Sequence, residues 1–164
     1  MTHQLGQSGD YILRDIMPVL YNEPGFDEDI ERLRADPRTE SDAYLLDSLL
    51  DQIAESKEAL WSLAQRNGEH PNPLFTVRVV ESIISKGFNI SRIRFVRSSV
   101  QQYRVLFGYD GRRDNFHLLA VVVKGSRSLP DERQPFNYYD YEHDHPVTIR
   151  MCDDYDGADI PRIG

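Results

Sequence analysis

The stretch that decides the fold is residues 88–124, which read FNISRIRFVRSSVQQYRVLFGYDGRRDNFHLLAVVVK. Three runs within it, residues 90–96, 102–109 and 115–123, alternate apolar and polar side chains at period two and are rich in Val, Ile, Tyr and Phe. Such runs are typical of half-buried β-strands. Because short turn-like segments separate them, Ser98-Ser99 and Asp110-Gly111, consecutive strands should pair antiparallel. The pattern predicts a three-stranded meander.

The phase of the alternation sorts the side chains onto two faces. Ile93 and Phe95 share one face of the first strand, and Tyr103, Val105 and Phe107 share one face of the second. The other face then carries three arginines, Arg92, Arg94 and Arg104. Such a face is either an ordinary solvated surface or a rigid platform that clamps phosphate.

Helical periodicity flanks the meander on both sides. Residues 26–34 predict a short helix, and leucines at three- and four-residue spacing predict one long helix over Thr39–Arg66. Leu74–Lys86 favours a second amphipathic helix, although its β-branched residues leave a strand open. Pro146 predicts the first turn of a helix that extends to about Tyr155, with His145 or Asp144 at its cap. We therefore expect an α+β fold in which a small antiparallel sheet packs against N-terminal helices.

The composition is that of one globular domain spanning residues 1–164, with residues 1–9 and 157–164 expected to be loose. No apolar run approaches membrane-spanning length, and Cys152 is the lone cysteine, so we expect a cytoplasmic protein without disulfides. The net charge of −8 argues against a generic nucleic-acid binder. Six bases nevertheless cluster between Arg78 and Arg104 with Glu81 as the single acid there, and the acidic C-terminal region could either leave this basic island open or mask it.

Other candidate chemistry is weaker. His143 and His145 lie close to Asp140, Asp144 and Asp153, and such side chains can ligate a divalent metal. A polar turn that opens a helix explains the same residues, and we expect no metal and no cofactor.

The order of these segments resembles the RelE/ParE superfamily of type II toxin–antitoxin toxins. The likeness rests on residues 90–95, 102–110 and 116–124, and above all on the Tyr103-Arg104-apolar start of the middle strand. It covers residues 74–127 well and the N-terminal helices in outline.

The resemblance implies a small α/β domain and, for RelE-like members, ribosome-dependent cleavage of mRNA by attack of the ribose 2′-hydroxyl on the neighbouring phosphate. It implies the partners of such a bacterial toxin, which are a cognate antitoxin, the ribosome and mRNA. Carried onto this chain, it implies a catalytic set comprising Arg92, Arg94, Arg104, Lys124, Arg127 and a C-terminal tyrosine, provisionally Tyr139. RNA contacts would come from Arg97, Lys86, Tyr138 and Tyr141.

Two features depart from the family pattern. These toxins are usually basic and shorter, whereas this chain is acidic and carries a long C-terminal extension. The second hypothesis is therefore a non-catalytic interaction module on the same fold, either a gyrase-directed ParE-like toxin or a repurposed member.

Overall fold

The computed structural model describes residues 17–65, 72–124 and 138–164. Its centre is a mixed six-stranded sheet. The strands are β1 (Leu20–Asn22), β2 (Phe75–Val79), β3 (Ile90–Phe95), β4 (Tyr103–Asp110), β5 (Asn115–Lys124) and β6 (Tyr138–Tyr139). The order across the sheet is β1-β5-β4-β3-β2, and β6 also pairs with β5. The fold is thus α+β.

The predicted meander is confirmed. β3, β4 and β5 are consecutive antiparallel neighbours, with Ile93 opposite Val105 and Val105 opposite Val121. The expectation of a purely antiparallel sheet is wrong, because β1 and β6 both run parallel to β5. Both lie against the same edge of β5, β1 beside its start and β6 beside its end.

Five helices of the described residues accompany the sheet. They are α1 (Pro24–Ala35), α2 (Glu40–Ala54), α3 (Lys57–Leu63), α4 (Glu81–Ile84) and α5 (Pro146–Gly157). α1 agrees with the predicted first helix. α5 begins at Pro146 as predicted, and the His145 side chain caps it by accepting a hydrogen bond from the Val147 amide at 3.0 Å.

Two helix predictions are wrong. The single helix over Thr39–Arg66 is broken at Ser56, whose backbone is extended and whose hydroxyl caps α3 by accepting from the Ala59 amide at 3.1 Å. The segment Leu74–Lys86 is mostly strand β2 followed by the one-turn helix α4. Its register against β3 supplies the reason: Phe75 and Val77 pair with Phe95 and Ile93 and bury the same face.

The sheet separates two apolar cores. Helices α1, α2 and α3 cover one face, where residues such as Leu46, Leu60 and Phe95 are fully buried. Helix α5 covers part of the opposite face, where Met151 and Tyr155 pack against Leu106 and its neighbours. Gly108 permits this approach, since a Cβ there would lie 3.0 Å from atoms of both Tyr155 and Ile160.

Strand β5 contains a bulge. Leu106 pairs with Ala120 but the next residue, Phe107, pairs with Leu118, so Leu119 is the extra residue. A bulge of this kind shifts the alternation of the strand that carries it. As a result Phe116, Leu118, Val121 and Val123 face the helical core, whereas Ala120 and Val122 face the other core.

A buried ion pair lies against the edge of β5, between the positions at which β1 and β6 pair with that strand. Asp29 on α1 is completely buried and binds Arg150 on α5 through two contacts of 2.9 and 2.7 Å. The same carboxylate accepts a hydrogen bond from the Val121 amide at 2.9 Å. We call this group, Asp29 with Arg150 and the Val121 amide, the Asp29 clamp. It joins α1, β5 and α5.

The C-terminal residues 157–164 are ordered by contacts, contrary to the expectation that they are loose. Ile160 is buried, and the Tyr155 hydroxyl donates a hydrogen bond to the Pro161 carbonyl at 2.5 Å. The Ile163 amide donates to the Gly87 carbonyl at 2.8 Å. No helix in the described ranges combines the length and the apolar character needed to cross a membrane.

Candidate phosphate-binding site

A cluster of five positively charged side chains and one threonine lies on the sheet face opposite the three N-terminal helices. Its members stand at alternate positions of four adjacent strands, so their side chains share one face. They are Thr76 and Arg78 on β2, Arg92 and Arg94 on β3, Arg104 on β4 and Lys124 on β5. Together they line a cavity of about 180 Å³, which we call the basic cavity.

The strand register places like charges face to face. Arg78 lies directly opposite Arg92 on the neighbouring strand, and Thr76 lies opposite Arg94. Cβ atoms of directly opposite residues are about 4.5–5.5 Å apart, and like charges in that position destabilise a sheet. The stability of the sheet therefore does not explain the pairing. An anion bound between the two guanidinium groups would relieve the repulsion.

Arg104 is half-buried and is held in one orientation. Its Nη1 donates hydrogen bonds to the carbonyl oxygens of Gln101 at 2.7 Å and Tyr103 at 3.1 Å. Its Nε is buried and finds no hydrogen-bond partner among the described residues. A buried donor without a partner costs about 1–3 kcal/mol, and an anion in the basic cavity would supply the missing acceptor.

The electrostatics of Arg104 point the same way. Burial lowers the pKa of its guanidinium, Tyr141 opposes the effect, and the nearby charges of Arg94 and Arg92 lower the pKa further. An arginine remains protonated at neutral pH in spite of such a shift. The lowered pKa therefore indicates that burial and the neighbouring arginines destabilise the positive charge of Arg104.

Tyr141 stands at the edge of the basic cavity. Its hydroxyl accepts a hydrogen bond from Nη1 of Arg92 at 3.0 Å, and the Arg92 guanidinium lies 5.5 Å from the centre of the ring. The Tyr141 backbone has φ 63°, a conformation uncommon for a residue other than glycine. The ring also meets Tyr139 edge to face at 5.1 Å. These contacts fix a phenol hydroxyl beside the cations.

No carboxylate in the described ranges forms an ion pair with any of the five cations of the basic cavity. Helix α5 lies over the apolar half of the same sheet face, and its Arg150 and Asp154 contact α1 instead. The described part of the acidic C-terminal region therefore leaves the basic cavity open. The opposite layer, α1 to α3, carries more acidic than basic residues. The net charge of −8 is thus a sum over a basic sheet face and an acidic helical layer.

The structure brings together four of the residues predicted for catalysis, Arg92, Arg94, Arg104 and Lys124. Tyr139 is placed differently: it is 1% exposed and its hydroxyl contacts Thr148. Burial also raises the pKa of Tyr139 far above its ordinary value, which disfavours proton transfer. Among the described side chains, the tyrosine that contacts Arg92 of the basic cavity is Tyr141, which the resemblance had assigned to RNA contact.

The other predicted contacts fall outside the basic cavity. Lys86 lines a separate groove beside α5, with Phe88 and Ile149. Arg97 is exposed in the turn after β3, with φ 55°. Arg127 and the side chain of Tyr138 lie outside the described residues.

Two members of the site were missed by sequence reasoning. Thr76 and Arg78 were assigned to a helix, where they would not share a face with Arg92. The available signal was the alternation of buried Phe75 and Val77 with polar neighbours, which is the period of a strand.

The histidines have other contacts. His143 lies within hydrogen-bond distance of the Ser82 carbonyl at 2.8 Å, and His145 caps α5. His117 contacts Glu23 at 2.9 Å and stacks on Tyr21. Within the described ranges no three His, Cys, Asp or Glu side chains are grouped as metal ligands.

Comparisons with protein-family models, with characterised proteins and with solved structures give no match for this chain.

Proposed function

We propose that this protein binds RNA through backbone phosphates in the basic cavity and cleaves it, as the toxin of a type II toxin–antitoxin pair. The observation that carries the proposal is the group of five cations with which no carboxylate of the described residues pairs, with the buried Nε of Arg104 among them. Cations fixed on adjacent strands bind an anion with little loss of side-chain freedom. The nuclease chemistry comes from the resemblance to RelE-like toxins.

In the proposed reaction the ribose 2′-oxygen attacks the adjacent phosphorus and the bond to O5′ breaks. The products are a 2′,3′-cyclic phosphate and a 5′-hydroxyl end. The 2′-hydroxyl proton passes to water, and Tyr141 donates a proton to the leaving O5′. Arg94 and Arg104 stabilise the additional negative charge that develops at phosphorus, where pre-positioned donors contribute most.

One observation favours the second candidate, a binding module without catalysis. The described lining of the basic cavity contains neither a histidine nor a carboxylate, the usual general bases. Such a module would keep the phosphate-binding surface and lack cleavage. Cleavage measured separately from binding distinguishes the two.

The test uses labelled single-stranded RNA, the same sequence as DNA, and the purified full chain. Where cleavage occurs, with the purified chain or in the translating extract described below, we expect RNA to be left with 2′,3′-cyclic phosphate ends and DNA to be bound without cleavage. Arg94→Gln should reduce cleavage by about 10²-fold or more, the usual effect of losing one stabilising donor. Arg38→Gln is the matched control, because Arg38 is 86% exposed, pairs with Asp36 and lies outside the basic cavity.

A second arm repeats the assay in a translating extract, and a third measures growth after expression in bacteria. Cleavage confined to translated mRNA would support dependence on the ribosome. Equal cleavage by wild type and Arg94→Gln would refute the assigned site. RNA binding without cleavage in every arm would refute the nuclease and leave the binding module.

A further inference from the structure

We infer that the basic cavity selects linked phosphates, a diphosphate or triphosphate group, over a single phosphate. The inference concerns the ligand class of the site used in the proposed function, and it rests on that function only in sharing the same cations. The ligand would be either a free polyphosphate anion or the 5′-triphosphate end of an RNA.

The charge of the basic cavity favours a ligand with several linked phosphates. Five cations line the basic cavity, and no carboxylate in the described ranges pairs with them. An internal phosphodiester contributes one negative charge per phosphate. A triphosphate carries its charges within one short chain, so it can neutralise most of the cluster from a single cavity.

The spacing of the donors also suits a chain of phosphates. Arg92 and Arg94 are two residues apart on β3, which separates them by about 6–7 Å along the strand. Arg78 faces the first of them and Thr76 the second. The strand geometry thus forms two rows of donors. Phosphorus atoms that share a bridging oxygen lie closer together than these rows, so it is the two outer phosphates of a triphosphate that can each contact one row. Arg104 and Lys124 extend the donor set onto the next two strands.

The residues that line the basic cavity are suited to phosphate oxygens. All six lining residues are hydrogen-bond donors, and the cavity of about 180 Å³ is several times the roughly 30 Å³ occupied by a water molecule in the liquid. None of the six lining residues offers an aromatic ring on which a base could stack, and the ring of Tyr141 lies at the edge of the cavity against Arg92. The part of a ligand that enters is its phosphate chain, and a nucleoside would remain outside.

The experiment measures binding of orthophosphate, pyrophosphate and tripolyphosphate to the full chain by titration calorimetry at constant ionic strength. Citrate serves as a control for charge without phosphate geometry. We expect the dissociation constant for tripolyphosphate to be at least 10-fold lower than that for orthophosphate, with citrate closer to orthophosphate. Arg94→Gln should weaken tripolyphosphate binding by about 10-fold or more, and Arg38→Gln should leave it unchanged.

A second pair of probes separates the two sources of the ligand. RNA of one sequence is prepared with a 5′-triphosphate and with a 5′-hydroxyl. Tighter binding of the triphosphate form identifies an RNA end as a ligand. Equal binding of both RNAs, with tripolyphosphate still preferred over orthophosphate, identifies the free anion.

The possible outcomes distinguish selective binding of linked phosphates from the proposed nuclease activity. Equal dissociation constants for orthophosphate and tripolyphosphate, or a preference that survives Arg94→Gln, would overturn it, even where RNA is cleaved. Selective binding of linked phosphates without RNA cleavage would uphold the inference and refute the nuclease.

Discussion

The Asp29 clamp offers the sharpest test of how this fold is held together. In Asp29→Ala the Arg150 guanidinium and the Val121 amide both lose a buried acceptor. Breaking a buried pair from one side costs about 3–5 kcal/mol, because the remaining charge is left uncompensated. For a chain of this size each kcal/mol lowers Tm by about 2–4 °C. We therefore expect Tm to fall by roughly 6–20 °C.

Urea unfolding followed by circular dichroism measures the effect as a shift in midpoint at constant slope. Glu31→Ala is the matched control on the same helix, since Glu31 is 69% exposed and pairs with Arg34 at the surface. Pairs of that kind contribute about 0–1 kcal/mol.

A double-mutant cycle with Arg150→Met identifies the cause. The double variant should lose less stability than the sum of the single variants, because removing Arg150 removes the uncompensated charge. A loss below about 1 kcal/mol for Asp29→Ala, or strict additivity in the cycle, would refute the reasoning.

Two further predictions concern packing and pH. Gly108→Ala should lower the free energy of unfolding by about 1–3 kcal/mol, because its Cβ would lie 3.0 Å from Tyr155. Gly157→Ala is the control and should be neutral or stabilising, since no atom lies within 4 Å of the added Cβ. Equal urea midpoints for the two variants would contradict the packing argument. Burial alone would raise the pKa of Asp110, but hydrogen bonds and charge from Arg112 hold that pKa below its ordinary value. Ionised Asp110 therefore stabilises the fold. This contribution is complete above the unfolded pKa of about 3.9 and is lost as the pH falls through the folded pKa. Asp110→Asn should therefore be less stable at pH 7 and should lose less stability than wild type between pH 4 and pH 2; parallel curves of stability against pH would exclude this role.

Short-range sequence patterns were sufficient to predict the meander and α5. The meander follows from period-two alternation and short turns, and α5 follows from the sequence His145-Pro146. The break at Ser56 was hidden because Leu60 and Leu63 continue the leucine spacing of α2 across it. Strand β2 was hidden because Ile83 and Ile84, in the short helix α4, complete a helical pattern with Val79.

The site was predictable in part for the same reason. Arg92, Arg94 and Arg104 lie on strands with clear phase, so the face that they share follows from sequence. The choice between Tyr139 and Tyr141 depends on the parallel pairing of β6 with β5 and on the left-handed backbone at Tyr141. Both are long-range or conformational features that residue periodicity does not encode.

The bulge at Leu119 has a consequence for the composition of the site. Odd and even positions exchange faces at this one residue, so Lys124 points with Ala120 and Val122 and not with Leu118. A regular β5 of the same length, without the bulge and with the same pairing to β1, would place the Lys124 side chain on the side covered by α1 to α3. The bulge thus determines how many cations line the basic cavity. Deleting Leu119 would remove the bulge and restore simple alternation, and Lys124 would stay on the face of the basic cavity.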